Sequence, residues 1–134
     1  NIEHRLHHIQ GKKKDYDAFF EACVDDVPVA PVINLYQSLL EAQWEVRIWS
    51  GRSNQVFDQT QTWIHRHVGN ANGLSRMRSA GDYRPDDALK EGWLWELSYR
   101  DRYRLQFIVD DRKRVVDMWR RNGVICLHCA EGNF

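Results

Sequence analysis

Residues 105–119 read Leu-Gln-Phe-Ile-Val-Asp-Asp-Arg-Lys-Arg-Val-Val-Asp-Met-Trp. An apolar run stops at two adjacent carboxylates, Asp110 and Asp111, and a basic amphipathic segment begins. Neighbouring strand residues point to opposite faces, so a buried strand cannot hold two aspartates inside itself. The run therefore predicts a strand over 105–109 with the aspartates at its carboxyl end, where the turning chain lets both face one crevice. Open α/β sheets bind ligands in that crevice. Paired carboxylates there point to a hard divalent cation, Mg2+ with a phosphate. A helix over 112–122 follows, with Val115, Val116 and Trp119 inward, Asp111 as its cap and Gly123 as its stop.

Outward from this stretch, strands and helices alternate. Tyr16, Phe19, Phe20 and Cys23 recur at helical spacing behind Asp15, a candidate N-cap. Pro31 suits the first turn of a helix running to about residue 43, with Val32, Leu35, Tyr36, Leu39 and Leu40 on one face. Residues 45–49 read as a short strand and 50–53 as a turn. A helix to about Val68 carries Val56, Phe57, Thr60, Trp63 and Ile64 inward and stops at Gly69. Residues 70–73 form a turn, 74–78 a strand, and Pro85 opens a helix to about Leu97 with Leu89, Trp93, Leu94 and Leu97 buried. Residues 124–129 make the last strand. Strands alternating with helices imply a mostly parallel sheet covered on both faces, a three-layer α/β/α sandwich. The reading is of one domain over 1–134, with a helical segment at 1–44 and a β/α core at 45–134. Such a fold ordinarily opens on a strand, whereas residues 1–14 are a polar, basic loop or short helical entry.

The chain has 134 residues, 43% hydrophobic and 28% charged, an ordinary globular composition. Nineteen basic and nineteen acidic residues cancel, so global charge does not advertise nucleic acid. Locally, residues 99–121 carry eight Arg or Lys against four Asp, a net of +4. No apolar run is long enough to span a membrane, and no signal-peptide pattern is present. Three cysteines, an odd count, point to a reducing compartment, the cytoplasm. The first residue is not Met, and the natural start is expected upstream.

Ser50-Gly51-Arg52 follows the strand at 45–49. A hydroxyl, a glycine admitting close backbone approach, and a guanidinium suit a phosphate cradle, although the same triplet suits an ordinary turn. Asp86 and Lys90 are four apart on a helix, either a surface ion pair or an anion site. A lysine in the first turns of a helix opposes the macrodipole unless an acid or a bound anion compensates it. Cys126-Leu127-His128-Cys129 has CxxC spacing, but a strand sends the two thiols to opposite faces and no second ligand pair follows.

Taken in order, Ser50-Gly51-Arg52, Arg84-Pro85-Asp86-Asp87-Ala88-Leu89-Lys90 and the run from Asp110 through Val124 resemble the haloacid-dehalogenase (HAD) phosphohydrolase superfamily. The nearer resemblance is to the phosphatase domain of bacteriophage polynucleotide kinase/phosphatases, and the ending Ala130-Glu131-Gly132-Asn133-Phe134 is similar as well. The resemblance implies a Rossmann-like sheet with the active site at its strand ends. It implies that Ser50, Gly51, Arg52 and Lys90 hold the phosphoryl group, Asp110 and Asp111 hold Mg2+, Arg5 and Arg52 serve the active site, and Asp86 positions Lys90. Phosphoryl transfer needs in-line positioning and cations on the equatorial oxygens, which these residue types supply.

The family also uses an Asp-x-Asp-Gly-Thr motif on its first strand, the first aspartate as nucleophile and the second as general acid and base. These 134 residues contain no such motif. Truncation is expected rather than a natural remnant, because losing a central strand leaves buried backbone groups unpaired at about 1–3 kcal/mol each. The expected function is Mg2+-dependent hydrolysis of polynucleotide 3′-phosphate ends through an aspartyl-phosphate, with this chain inert on its own. The alternatives are a phosphatase of free nucleotides and a non-catalytic module that binds phosphate or nucleic-acid ends. The expected partners are phosphorylated nucleic-acid ends or nucleotides, no membrane, and a kinase domain in the natural protein.

Overall fold

A computed structural model describes residues 2–132. The resemblance at Asn133 and Phe134 lies outside the described residues. The chain divides into two compact units, Asn1–Gly81 and Asp82–Phe134.

The first unit begins with a 3-10 helix, Glu3–His8, where the sequence predicts loop or helical entry. Helix α1, Tyr16–Glu21, is capped by Asp15, whose carboxylate accepts from the Ala18 amide at 3.0 Å. A 3-10 turn, Ala22–Asp25, continues it. Helix α2, Ala30–Glu41, has Pro31 in its first turn. Its apolar stripe is only half-buried: no residue of α2 is fully buried, and Leu35 is exposed.

Strand β1 runs Ile48–Ser53, later than the 45–49 expected, so the residues read as a turn lie inside the strand. Helix α3, Phe57–His67, leads to strand β2, Leu74–Arg78, which pairs with β1 in parallel. The register slips between Ser50 and Ser53, an irregularity that absorbs Gly51 and Arg52. The Arg78 Nε donates to the Gly51 carbonyl at 2.9 Å, giving this irregular backbone a partner. Phe19, Cys23, Val56, Ile64 and Val68 form the unit's apolar core, while Phe57, expected inside, is exposed.

In the second unit, helix α4 spans Asp86–Glu96 and buries Leu89, Trp93 and Leu94 as expected, and Lys90 as well. A short helix α5, Tyr99–Arg104, was not expected; the Ser98 hydroxyl caps it by accepting from the Asp101 amide at 3.1 Å. Strand β3 is Ile108–Arg112, displaced from the expected 105–109, so Asp110 and Asp111 lie within it. Helix α6, Lys113–Arg121, follows directly; Arg112 occupies its N-cap with no side-chain cap, and Asp111 does not cap it. Val115, Val116, Met118 and Trp119 are its buried face. The chain then turns at Gly123, whose φ of +76° is left-handed, into strand β4, Cys126–Gly132.

Strand β4 pairs with β3 in parallel. Among the described residues the expected parallel sheet is thus two parallel pairs, β1–β2 and β3–β4. Each pair is closed by a helical crossover, as parallel neighbours require. No helix among the described residues is long and apolar enough to cross a membrane.

Candidate active site

Both parallel pairs are irregular at the residues singled out from sequence. In β1 one slip falls between Ile48 and Trp49 and a second at Gly51 and Arg52. In β3 it falls between Asp110 and Arg112, leaving Asp111 outside the regular register. Such irregularities re-aim side chains and recur beside active sites.

In the first unit, the β1 irregularity delivers Arg52 to a buried carboxylate, Asp26. Arg52 Nη2 donates to Asp26 Oδ2 at 2.5 Å. Arg5 reaches the same group from the 3-10 helix, with Nε on Oδ1 at 2.7 Å and Nη2 on Oδ2 at 2.8 Å. His4 Nε2 lies 2.9 Å from Oδ1. Arg5 is only 2% exposed; its Nη1 donates to the Phe19 carbonyl, and its guanidinium stacks on the Phe19 ring. Trp63 Nε1 donates to the Asp26 carbonyl at 2.7 Å.

Burial by itself pushes the Asp26 carboxyl up. The hydrogen bonds and charge of Arg5, with Arg52 and His4, outweigh it and hold the group below its ordinary value. Arg5 and Arg52, expected at the substrate, are thus tied to a protein carboxylate. Ser50 Oγ accepts from the Arg52 amide at 3.2 Å, which fixes the loop and leaves the hydroxyl hydrogen to be offered to an anion.

In the second unit, α4 presents Lys90 to β3. Its Nζ donates to Asp110 Oδ2 at 2.7 Å, with both residues buried. The other oxygen, Oδ1, accepts from the Arg112 amide at 3.2 Å. Asp110 therefore answers the lysine charge near the start of α4. Asp86 does not pair with Lys90 as expected; its carboxylate is bonded to the Arg112 guanidinium. The substitution of partners is geometric: Asp86 and Lys90 share a helix face, but β3 brings the carboxylate that lies against the lysine. Asp87 pairs with Arg114 at 2.8 Å.

Asp110 is buried and Asp111 exposed, and the register irregularity of β3 falls between Asp110 and Arg112. The Asp111 carbonyl accepts from His128 Nε2 at 3.1 Å. Among the described residues no group of three or more His, Cys, Asp or Glu is arranged to hold a metal. Cys126 is buried and Cys129 exposed, the opposite-face arrangement expected of CxxC on a strand. Burial, then the charge of Asp110, pushes the Cys126 thiol up to about 11, which favours its protonated form at neutral pH.

Asp26 escaped the reading of the sequence. Its partners Arg5 and Arg52 lie 21 and 26 residues away, and Asp25-Asp26 carries no local pattern that separates a buried acid from a solvated one. Helix α5 did leave a signal: Ser98-x-x-Asp101 is a capping-box spacing.

Parallel strand pairs crossed over by helices, with irregular strands that carry a Ser-Gly-Arg and an Asp-Asp motif, define an α/β architecture of Rossmann-like type. Residues 5–134 match the polynucleotide kinase PNKP phosphatase domain, and the chain belongs to that family. It is similar to a solved chain of the Pnkp1/Rnl/Hen1 RNA repair complex, at 28% identity and a TM-score of 0.74, over 86% of this chain and 37% of that one. A second solved chain, from a Pnkp1/Rnl/Hen1 complex, is 28% identical with a TM-score of 0.75, over 86% of this chain and 40% of that one. This chain spans about two-fifths of the length of those relatives.

Proposed function

We propose that this chain is the phosphate-handling part of a Mg2+-dependent HAD phosphomonoesterase that acts on polynucleotide 3′-phosphate ends in RNA repair. The observation that carries the reading is the buried Lys90–Asp110 pair at the β3 irregularity, in a chain matched to the PNKP phosphatase domain over residues 5–134. A buried ammonium beside a strand-end backbone is the cation that a transferring phosphoryl group requires.

In the first unit, Ser50 offers its hydroxyl and the Gly51 backbone its close approach to a phosphoryl oxygen. Arg52 and Arg5 fix that loop through Asp26 rather than gripping the phosphate. In the second unit, Lys90 offers positive charge to an anion, and Asp86 orients Arg112. Asp110 fits as one carboxylate ligand of Mg2+, an ion that ordinarily takes one or two carboxylates and keeps water and phosphate oxygens for the rest. Asp111, exposed next to it, is the second carboxylate of the candidate site. When bound, the ion supplies charge neutralisation at the transferring group.

These 134 residues hold no Asp-x-Asp-Gly-Thr, and we propose that they bind ends without turning them over. The relatives' place in Pnkp1/Rnl/Hen1 assemblies supports a role beside such repair partners, with a kinase domain in the natural protein. The three free cysteines accord with a cytoplasmic setting.

The test is fluorescence anisotropy with an oligoribonucleotide carrying a 3′-phosphate or a 3′-hydroxyl, together with phosphate release in Mg2+, across a salt series. Tighter binding of the phosphorylated end, falling steeply with salt and without turnover, is expected. Equal affinity for both ends overturns the substrate reading, and robust phosphate release overturns the claim of inertness. The zero net charge of the chain favours one rival, a phosphatase of free nucleotides. That rival predicts tighter binding of a nucleoside 3′-monophosphate than of the oligonucleotide.

A further inference from the structure

Helix α5 and the end of α4 carry a surface that the core does not explain. No residue of α5 is buried. Tyr99 and Tyr103 are 94% and 88% exposed. Four residues apart on a helix, they stand on one side with their Cβ atoms about 5–6 Å apart. Trp95 is 57% exposed, and the Arg102 guanidinium lies 4.2 Å from its ring centroid. Arg100 and Arg104 are exposed around the tyrosines. Asp101 approaches Arg104 at 4.0 Å, Glu96 is exposed beside Trp95, and residues 95–104 hold three arginines against these two acids, a net of +1.

We propose that this face is a stacking platform for a single-stranded nucleic acid, engaging the strand at a distance from its phosphorylated end. Two rings and a guanidinium-capped indole offer flat apolar faces to bases, and the interleaved arginines offer charge to the backbone phosphates. That combination is what sequence-tolerant single-strand binding uses, because every base has a π-face and every linkage a negative charge. Charge complementarity selects this occupant over a protein: the face pairs exposed aromatics with net positive charge, and a nucleic-acid strand presents both complements in each repeat. The inference rests on the proposed polynucleotide reading for the end that is processed. The platform itself requires only a strand.

The experiment measures anisotropy with a short mixed-sequence oligoribonucleotide bearing either a 3′-hydroxyl or a 3′-phosphate, alongside binding of a nucleoside 3′-monophosphate. The proteins are the unaltered chain, Tyr99→Ala/Tyr103→Ala and Tyr99→Phe/Tyr103→Phe. Their exposure means that both variants keep the fold. The alanine pair is expected to weaken binding of both oligonucleotides by about tenfold or more. Phenylalanine restores it, since stacking needs the ring and not the hydroxyl, and mononucleotide affinity is unchanged. Quenching of Trp95 by the strand is a second readout.

Oligonucleotide affinity that is indifferent to the alanine pair overturns the proposal, and so does failure of the unaltered chain to bind the 3′-hydroxyl strand. A change in oligomeric state by sedimentation with unchanged oligonucleotide affinity also overturns it, and makes the face a protein interface. Tyrosine-dependent strand binding without preference for the 3′-phosphate supports the platform and sinks only the proposed end specificity.

Discussion

The Asp26 carboxylate takes hydrogen bonds from two arginines and lies against a histidine, while its side chain is almost wholly enclosed. A buried ion pair adds little over an apolar replacement, but breaking one side of it strands the other charge. The cost of that is about 3–5 kcal/mol. Arg5 is the charge that would be stranded, so Asp26→Asn should lower the unfolding free energy obtained from urea titration by an amount in that range, and the loss should depend on pH. The folded carboxyl sits below the ordinary value of 3.8, so its stabilisation is complete above that pH and disappears as the pH falls through the depressed folded value. Urea titrations of the two proteins should therefore show a constant gap near neutrality that closes in acid below 3.8. A gap that persists into strong acid would mean that the carboxylate charge is not what holds Arg5.

Lys90 and Asp110 form the corresponding pair of the second unit. Lys90→Met leaves Asp110 buried against Arg112 alone, and Asp110→Asn leaves the ammonium without its acid. Each should destabilise by a few kcal/mol, about the size seen when one partner of a buried pair is removed. The double variant should lose clearly less than the two losses added, because neither charge then remains. A four-protein cycle of urea denaturation reads the coupling directly, and additivity would show that the pair does not act as a unit.

At the scale of elements, two glycines separate two kinds of constraint. Gly123 ends α6 with φ at +76°, and a Cβ there would meet nothing within 4 Å. Gly123→Ala should therefore cost only the left-handed backbone, about 1–2 kcal/mol. Gly73 sits before β2 at the approach of Tyr36, whose hydroxyl would lie 2.2 Å from an added Cβ. That hydroxyl also accepts from Asn70 at 3.2 Å, so Gly73→Ala must displace a bonded ring. Thermal denaturation should place Gly73→Ala below Gly123→Ala; the reverse order would contradict the close approach.

The same elements show what a sequence reveals. Helix α6 was legible because Val115, Val116 and Trp119 fall at helical spacing and Gly123 follows them. Helix α5 has no buried stripe, so periodicity had nothing to detect, although its Ser98 cap did leave a mark. Strands β1 and β3 lie later than the sequence predicts for one reason. Their last residues are the polar motifs themselves, and polarity reads as a turn unless the ladder is seen to continue through an irregularity. The site is affected as well, because Asp110 and Asp111 lie within β3 rather than beyond its end.

At the scale of the whole chain, burial is distributed unevenly, and local stability should follow it. Helix α6 buries four side chains, and Val115, Val116 and Trp119 are each no more than 1% exposed. Helix α2 is longer, 12 residues against 9, yet buries none. Its Gln37 side chain donates to the Val68 carbonyl at 3.1 Å, a polar tie that water can replace. Helix length alone would favour α2, since propagation adds a hydrogen bond per residue. Packing favours α6, because an amphipathic face in contact with the core supplies most helical stability in proteins. Opening free energies within one protein range from about zero to the global value, and segments with few buried apolar contacts occupy the low end. Native-state hydrogen exchange should therefore show the amides of Ala30–Glu41 exchanging through local opening before those of Lys113–Arg121, which should wait for unfolding of their unit. Adding urea below the unfolding transition should speed exchange in α6 more steeply than in α2, because α6 opens only with a large exposure of surface. Equal protection of the two helices, or equal urea dependence, would mean that α2 is covered by surface outside the described residues.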